Sequence, residues 1–239
     1  MSNGKRYPLM KKLGLVGGIG PESTQDYYKG IIEGYRARTG SDNYPHMIID
    51  SLNLTEMYDL AADKDWDLFT QRLVDSVENL AAGGAEFAAM AANTAHIVFD
   101  GVRRRSPLPL VSIVDETCKY AQSKKCRSVV IFGTAFTMSS GLYSDAFAKY
   151  GIDAFVPSEE DQKNIHGIIF PHLQEGIVLP EEKKTILEIA GKMISEKKAD
   201  ALILGCTELP LIIKEGDLDT LLLDTTRIHI DAILDFMLA

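Results

Sequence analysis

The sequence predicts an α/β protein built from two pseudo-symmetric Rossmann-like halves, each with a parallel sheet, enclosing a cleft between them. Three observations point there. Short apolar runs alternate along the whole chain with stretches whose apolar residues recur at helical spacing. A strand, glycine turn and helix start at residues 12–21 (KLGLVGGIGP) returns at residues 127–137 (RSVVIFGTAFT). A small-residue strand running into a polar turn at residues 87–96 (FAAMAANTAH) likewise returns at residues 202–210 (LILGCTELP). Gly17 and Asn93 are 76 residues apart and Gly133 and Cys206 are 73 apart, the near-match that duplicated halves require.

The expected strands are residues 13–16, 47–50, 87–91, 110–113, 128–132, 152–156, 201–204 and 221–223, each a short apolar run bounded by polar or glycine positions. Residues 66–82 and 181–197 carry apolar side chains at helical period and are expected as amphipathic helices between strands. Pro107-Leu108-Pro109 is the expected crossover, giving a first half of residues 1–106 plus a return of 216–239, and a second half of 107–215. Ligands of doubly wound sheets bind at the carboxyl edge of the strands. Four turns would meet there: Gly17-Gly18, Asn93-Thr94, Gly133-Thr134 and Cys206-Thr207.

Composition narrows the function. The chain has 239 residues, 46% of them hydrophobic, 25% charged and 8% aromatic, enough for a sizeable core without disulfide or metal staples. A formal charge of −9 argues against nucleic acid as partner, since phosphate binding needs a cationic face. No apolar run reaches the ~18 residues of a membrane span, and the start, MSNGKRYPLMKK, reads as a short tail rather than a secretory leader. Three cysteines cannot complete a disulfide set, which favours a reducing cytoplasm.

Cys206 follows the apolar run ALILG and precedes Thr207-Glu208, where a helix is expected to begin. A helix start favours thiolate, although thiols beside buried strands are also ordinary core residues. Cys118 and Cys126 read as structural, and the five histidines form no metal-binding pattern. His96, three residues after Asn93, is a candidate acid or base or a packing residue; His229 reads as core or cap. GLVGGIG departs from the dinucleotide spacing, so Gly17 and Gly18 either admit a small anion to backbone N–H groups or simply form a turn. Arg36 and Arg38 could reach a side-chain carboxylate or face solvent at a helix end.

Together, LGLVGGIGPEST, ANTAH, FGTAFTM, GCTELP and DTTRIHIDA resemble, in order, the motifs of the cofactor-independent aspartate/glutamate racemase family, from Lys12 onward. The resemblance implies two α/β domains closing on an acidic amino acid. One thiol on each side of Cα moves the proton, without pyridoxal phosphate or metal. It implies a homodimer. It places Cys206 as one acid/base with Glu208 beside it, and Thr207, Asn93, Thr94, Gly17, Gly18, Thr134 and Thr137 in substrate-binding turns. Where the family carries a cysteine before Asn-Thr, this chain has Ala92. Three functions follow from that departure: a slow or one-directional racemase helped by His96, Thr94 or water; a single-cysteine decarboxylase or lyase on a malonate-like acid; or a dicarboxylate-binding protein.

Overall fold

The stretch Leu-Gly-Leu-Val-Gly is apolar without interruption, as a strand covered on both faces must be, and it forms β1 (Leu13–Gly17), buried throughout. The computed structural model describes residues 10–239, so the expected N-terminal tail lies largely outside the described residues. After β1, Gly20 and Pro21 open α1 (Pro21–Thr39), which stops at Gly40 in the left-handed conformation. Then come β2 (Met47–Ser51), α2 (Leu54–Ala62), α3 (Trp66–Ala82) and β3 (Phe87–Met90). The Asn53 side chain accepts from two backbone N–H groups at the start of α2, and Asp65 caps α3 in the same way. A short 3-10 turn leads into α4 (Phe99–Arg105) and β4 (Leu110–Val111).

The second half repeats the plan with α5 (Ile113–Ser123), β5 (Ser128–Phe132), α6 (Ala135–Ser139), α7 (Leu142–Lys149) and β6 (Asp153–Phe155). It continues with α8 (Glu159–Ile169), α9 (Pro180–Lys197), β7 (Ala201–Leu204), α10 (Leu209–Ile212), β8 (Leu221–Asp224) and α11 (Thr225–Leu238). The two parallel sheets have the orders β2-β1-β3-β4 and β6-β5-β7-β8, the same path traced twice. In each sheet the strand order reverses between the two central strands, β1 and β3 or β5 and β7. That reversal opens a crevice at their carboxyl ends.

Alternate residues of each central strand feed opposite cores. Leu13, Leu15, Phe87 and Ala89 pack with α1 and α11, whereas Val16, Ala88 and Met90 pack with α3 and α4. In the second sheet, Val130, Phe132, Leu202 and Leu204 face α8 to α10, and Val129, Ile131 and Ile203 face α5 and α7. No helix among the described residues is long and apolar enough to cross a membrane.

All eight expected strands form, with Ser128–Phe132 and Ala201–Leu204 matching to the residue. Sheet pairing crosses the expected division of the chain at two points. Leu110 and Val111 pair with Ala88 and Ala89, so the first sheet runs past Pro107-Leu108-Pro109 and the crossover follows β4. Residues 221–224 pair with β7, so only α11 of the C-terminal return packs on the first sheet. The expected strand 110–113 is cut short because the Ser112 side chain accepts from Asp115 N–H and starts α5 there.

Candidate active site

The carboxyl ends of the central strands of both sheets converge on one small cleft, with a cavity of about 70 Å³. Of the sequence-derived residues, Ala92, Asn93, Thr94, Thr134, Thr137, Cys206, Thr207 and Glu208 line it together. Gly17, Gly18 and His96 do not line it.

Gly17 and Gly18 form a packed turn. The Gly18 N–H donates to Thr24 Oγ1 at 2.9 Å, and Leu52 N–H donates to the Gly17 carbonyl at 3.0 Å. Gly18 holds φ +85°, and a Cβ there would lie 2.2 Å from the Leu52 carbonyl oxygen, so only glycine fits. The amide expected to meet an anion is already spent. Ile19 and Gly20, one step further on, reach the cleft instead.

His96 packs in the core, away from the cleft lining. It is buried, its Nδ1–H donates to the Ala92 carbonyl at 2.9 Å, and its Nε2 accepts from Ile113 N–H at 3.2 Å. Both ring nitrogens are therefore committed in the neutral form, and burial pushes the imidazole down to about 4. His229 fits its expected core role: Tyr27 OH donates to Nδ1 at 2.7 Å, and Nε2–H donates to the Val111 carbonyl. Arg36 and Arg38 lie at the end of α1, paired with Asp42 and with Asp231 and Asp235, outside the cleft. Cys118 and Cys126 are buried in the core of the second half, and burial pushes Cys118 up to about 12.

Cys206 is the cleft's thiol. Its Sγ donates to Glu208 Oε2 at 2.6 Å. Enclosure by the cleft walls pushes the thiol well above its ordinary range, and the Glu208 carboxylate pushes further in the same direction. Backbone N–H groups of Thr207 and Glu208 favour the thiolate, with smaller effect. The expected contribution of the helix start is present in those N–H groups, and enclosure outweighs it. The helix that follows is only the four-residue α10.

Thr134 caps α6 by accepting from Thr137 N–H, and the two hydroxyls lie 3.1 Å apart. Asn93 turns its amide to Tyr143 of the second half and to Thr225, the first residue of α11. Sequence reasoning missed several cleft residues: Glu22 and Ser23 at the start of α1, Tyr58 on α2, Phe170 and Gln174 after α8, and Thr226. Ser23 Oγ donates to the Ala91 carbonyl at 2.7 Å and so braces the turn carrying Ala92. Burial, then the charges of Cys206 and Glu208, raise the Tyr58 phenol, which lines the same cleft. Asp26 is raised by burial and by Glu208, Asp224 and Glu22, so this end of the cleft is acidic.

With this geometry in place, comparison with known proteins is decisive. The model of the family described as Asp/Glu/Hydantoin racemase matches residues 16–233. The chain belongs to that family. The broad specificity amino-acid racemase RacX of Bacillus subtilis (strain 168) is 27% identical over 206 residues, covering 84% of this chain and 87% of RacX. A glutamate racemase of Koribacter versatilis (strain Ellin345) is 29% identical over 154 residues, 62% of this chain and 50% of that protein. Among solved structures, an aspartate racemase homologue from Pyrococcus horikoshii OT3 is 35% identical, with TM-score 0.86 over 95% of this chain and 98% of that one. Racemases are isomerases, and the family acts on small amino-acid substrates.

Proposed function

We propose that this chain is a cofactor-independent racemase that moves the Cα proton of an acidic amino acid, aspartate or glutamate, through Cys206. The observation that carries the reading is the 2.6 Å hydrogen bond from Cys206 to Glu208 on the cleft wall formed by the second half. At rest, enclosure and the neighbouring carboxylate keep the proton on sulfur. A substrate ammonium arriving beside Glu208 and Glu22 offsets that negative charge and eases formation of a thiolate. The thiol proton then has a path along the hydrogen bond to Glu208, and the thiolate takes the Cα proton to regenerate the thiol. Hydroxyls of Thr94, Thr134, Thr137 and Thr207 line the walls for the substrate carboxylates.

On the first half's wall Ala92 offers a methyl group, so the proton for that face comes from Thr94 or water, and Glu208 returns its proton to whichever donated. Positioned acid/base groups supply about 10²–10⁴-fold each, and inversion is correspondingly slow. Each enantiomer of aspartate and glutamate, incubated with the protein in deuterated water, tests this. Deuterium is expected at Cα faster than the configuration inverts, and Cys206→Ala is expected to abolish both. Undiminished turnover in Cys206→Ala, or no exchange from either enantiomer, overturns the reading; no exchange combined with ligand-induced thermal stabilisation points to a binding protein. The reading carries with it a cytoplasmic homodimer, checked by light scattering of the purified protein.

Ala92 also favours a second reading. Loss of carbon dioxide from a malonate-like acid leaves a carbanion that needs a proton from one face only, which Cys206 alone supplies. Carbon dioxide release from an arylmalonate, absent in Cys206→Ala, would establish it.

A further inference from the structure

Asn93 ends the wall formed by the first half, yet its amide is held by Tyr143 of the second half and by Thr225, the first residue of α11, which is tied to β7. Tyr143 OH, from α7, donates to Asn93 Oδ1 at 2.5 Å. Asn93 Nδ2 donates to Thr225 Oγ1 at 3.3 Å, and Thr225 spends its one hydroxyl hydrogen on the Leu204 carbonyl at 3.0 Å. Tyr143 is 1% exposed and Thr225 is fully buried. Leu204 ends β7, two residues before Cys206. Hydrogen bonds therefore run unbroken from the turn carrying Ala92 to the strand carrying Cys206. The polarity of the chain demands an amide: Oδ1 meets a donor, and Nδ2 meets an oxygen whose hydrogen is already used. A carboxylate at this position would set acceptor against acceptor.

We infer that Tyr143, Asn93 and Thr225 form a positioning clamp that holds the Ala92–Asn93 turn in register with the Cys206 wall, so that the Asn93 side chain serves turnover by fixing the cleft. Its effect on turnover rests on the racemase reading. Register matters because a displacement of about 1 Å at a reacting centre can cost on the order of 10²-fold in rate. Tyr143 and Thr225 are positioning residues, since they reach the cleft through Asn93.

The test uses the full chain with Tyr143→Phe, Thr225→Val and Thr225→Ser. It reads deuterium wash-in at Cα of glutamate and, separately, the rate at which iodoacetamide alkylates Cys206, located by peptide mass. Tyr143→Phe and Thr225→Val are expected to lower kcat by roughly 10–100-fold with KM held within about twofold. Thr225→Ser keeps the hydroxyl and is expected to stay close to the parent. Cys206 alkylation is expected to change about threefold or more in the first two variants and not in the third. A rise in KM at unchanged kcat, or Thr225→Val behaving as Thr225→Ser, overturns the clamp. If the parent exchanges no amino acid, the racemase reading falls on its own. The clamp is then decided by alkylation, and equal rates in all four proteins overturn it.

Discussion

Replacing Glu208 by glutamine isolates what its charge does to Cys206. With Sγ hydrogen-bonded to Oε2, a thiolate and a carboxylate at about 3–4 Å repel by about 4–5 kcal/mol at an effective dielectric of about 20, a ceiling on what the charge does. Water in the open cleft and rotation of the Glu208 side chain reduce that. The sign is fixed: removing a negative neighbour makes the thiolate easier to form, so the Cys206 pKa falls in Glu208→Gln. It stays above the ordinary thiol value, because enclosure, the larger cause of the elevation, is untouched. The assay is the rate of Cys206 alkylation from neutral to strongly alkaline pH, followed on the Cys206 peptide so that buried Cys118 and Cys126 do not interfere. Below the thiol pKa, a fall of one unit appears as about a tenfold faster reaction at a given pH. A Glu208→Gln profile that overlays the parent, or moves to higher pH, refutes the reasoning.

Three further outcomes are expected. Ala92→Cys supplies an acid/base group on the wall that lacks one and should raise the inversion rate by about 10²–10⁴-fold, read by polarimetry on glutamate; an unchanged rate would count against a two-walled proton transfer. His96 and His229, held neutral by burial at about 4 and about 3, take up protons only on unfolding as pH falls below about 6.5, so each should remove about 1.4 kcal/mol of stability per pH unit between there and its folded value. Urea midpoints that match at pH 7 and pH 5 would contradict this. Gly18→Ala places a Cβ 2.2 Å from the Leu52 carbonyl oxygen at φ +85° and should cost about 1–3 kcal/mol or more, visible as a lower melting temperature; an unaltered melt would mean the turn yields.

Much of this architecture is legible in the chain because buried parallel strands are written as uninterrupted apolar runs. That signal located Ser128–Phe132 and Ala201–Leu204 without error. It is weaker where a strand has only two residues, as in β4, and there the capping Ser112 decided the boundary. The strand-end turns brought together Ala92, Asn93, Thr94, Thr134, Thr137, Cys206, Thr207 and Glu208 because β3, β5 and β7 are central strands whose carboxyl ends share the crevice. What the chain could not reveal is where each hydrogen bond goes. Thr24, six residues away, absorbs the Gly18 amide, and Ile113 and Ala92 absorb both nitrogens of His96. Tyr58 is an ordinary tyrosine on an amphipathic helix, and only the folded arrangement brings α2 to the cleft that holds Cys206.

The placement of α11 has a consequence for how the molecule assembles. Ile230, Ile233, Leu234 and Met237 complete the core shared by Leu13, Leu15 and Tyr27, although more than 190 residues separate them. A ribosome releases β1 and α1 long before the helix that seals them, so the first half waits with an open apolar face until α11 arrives. Neither sheet can then melt alone without stripping α11 from a neighbour, since the helix also packs along α5. Two look-alike halves should behave in a calorimeter as a single cooperative unit.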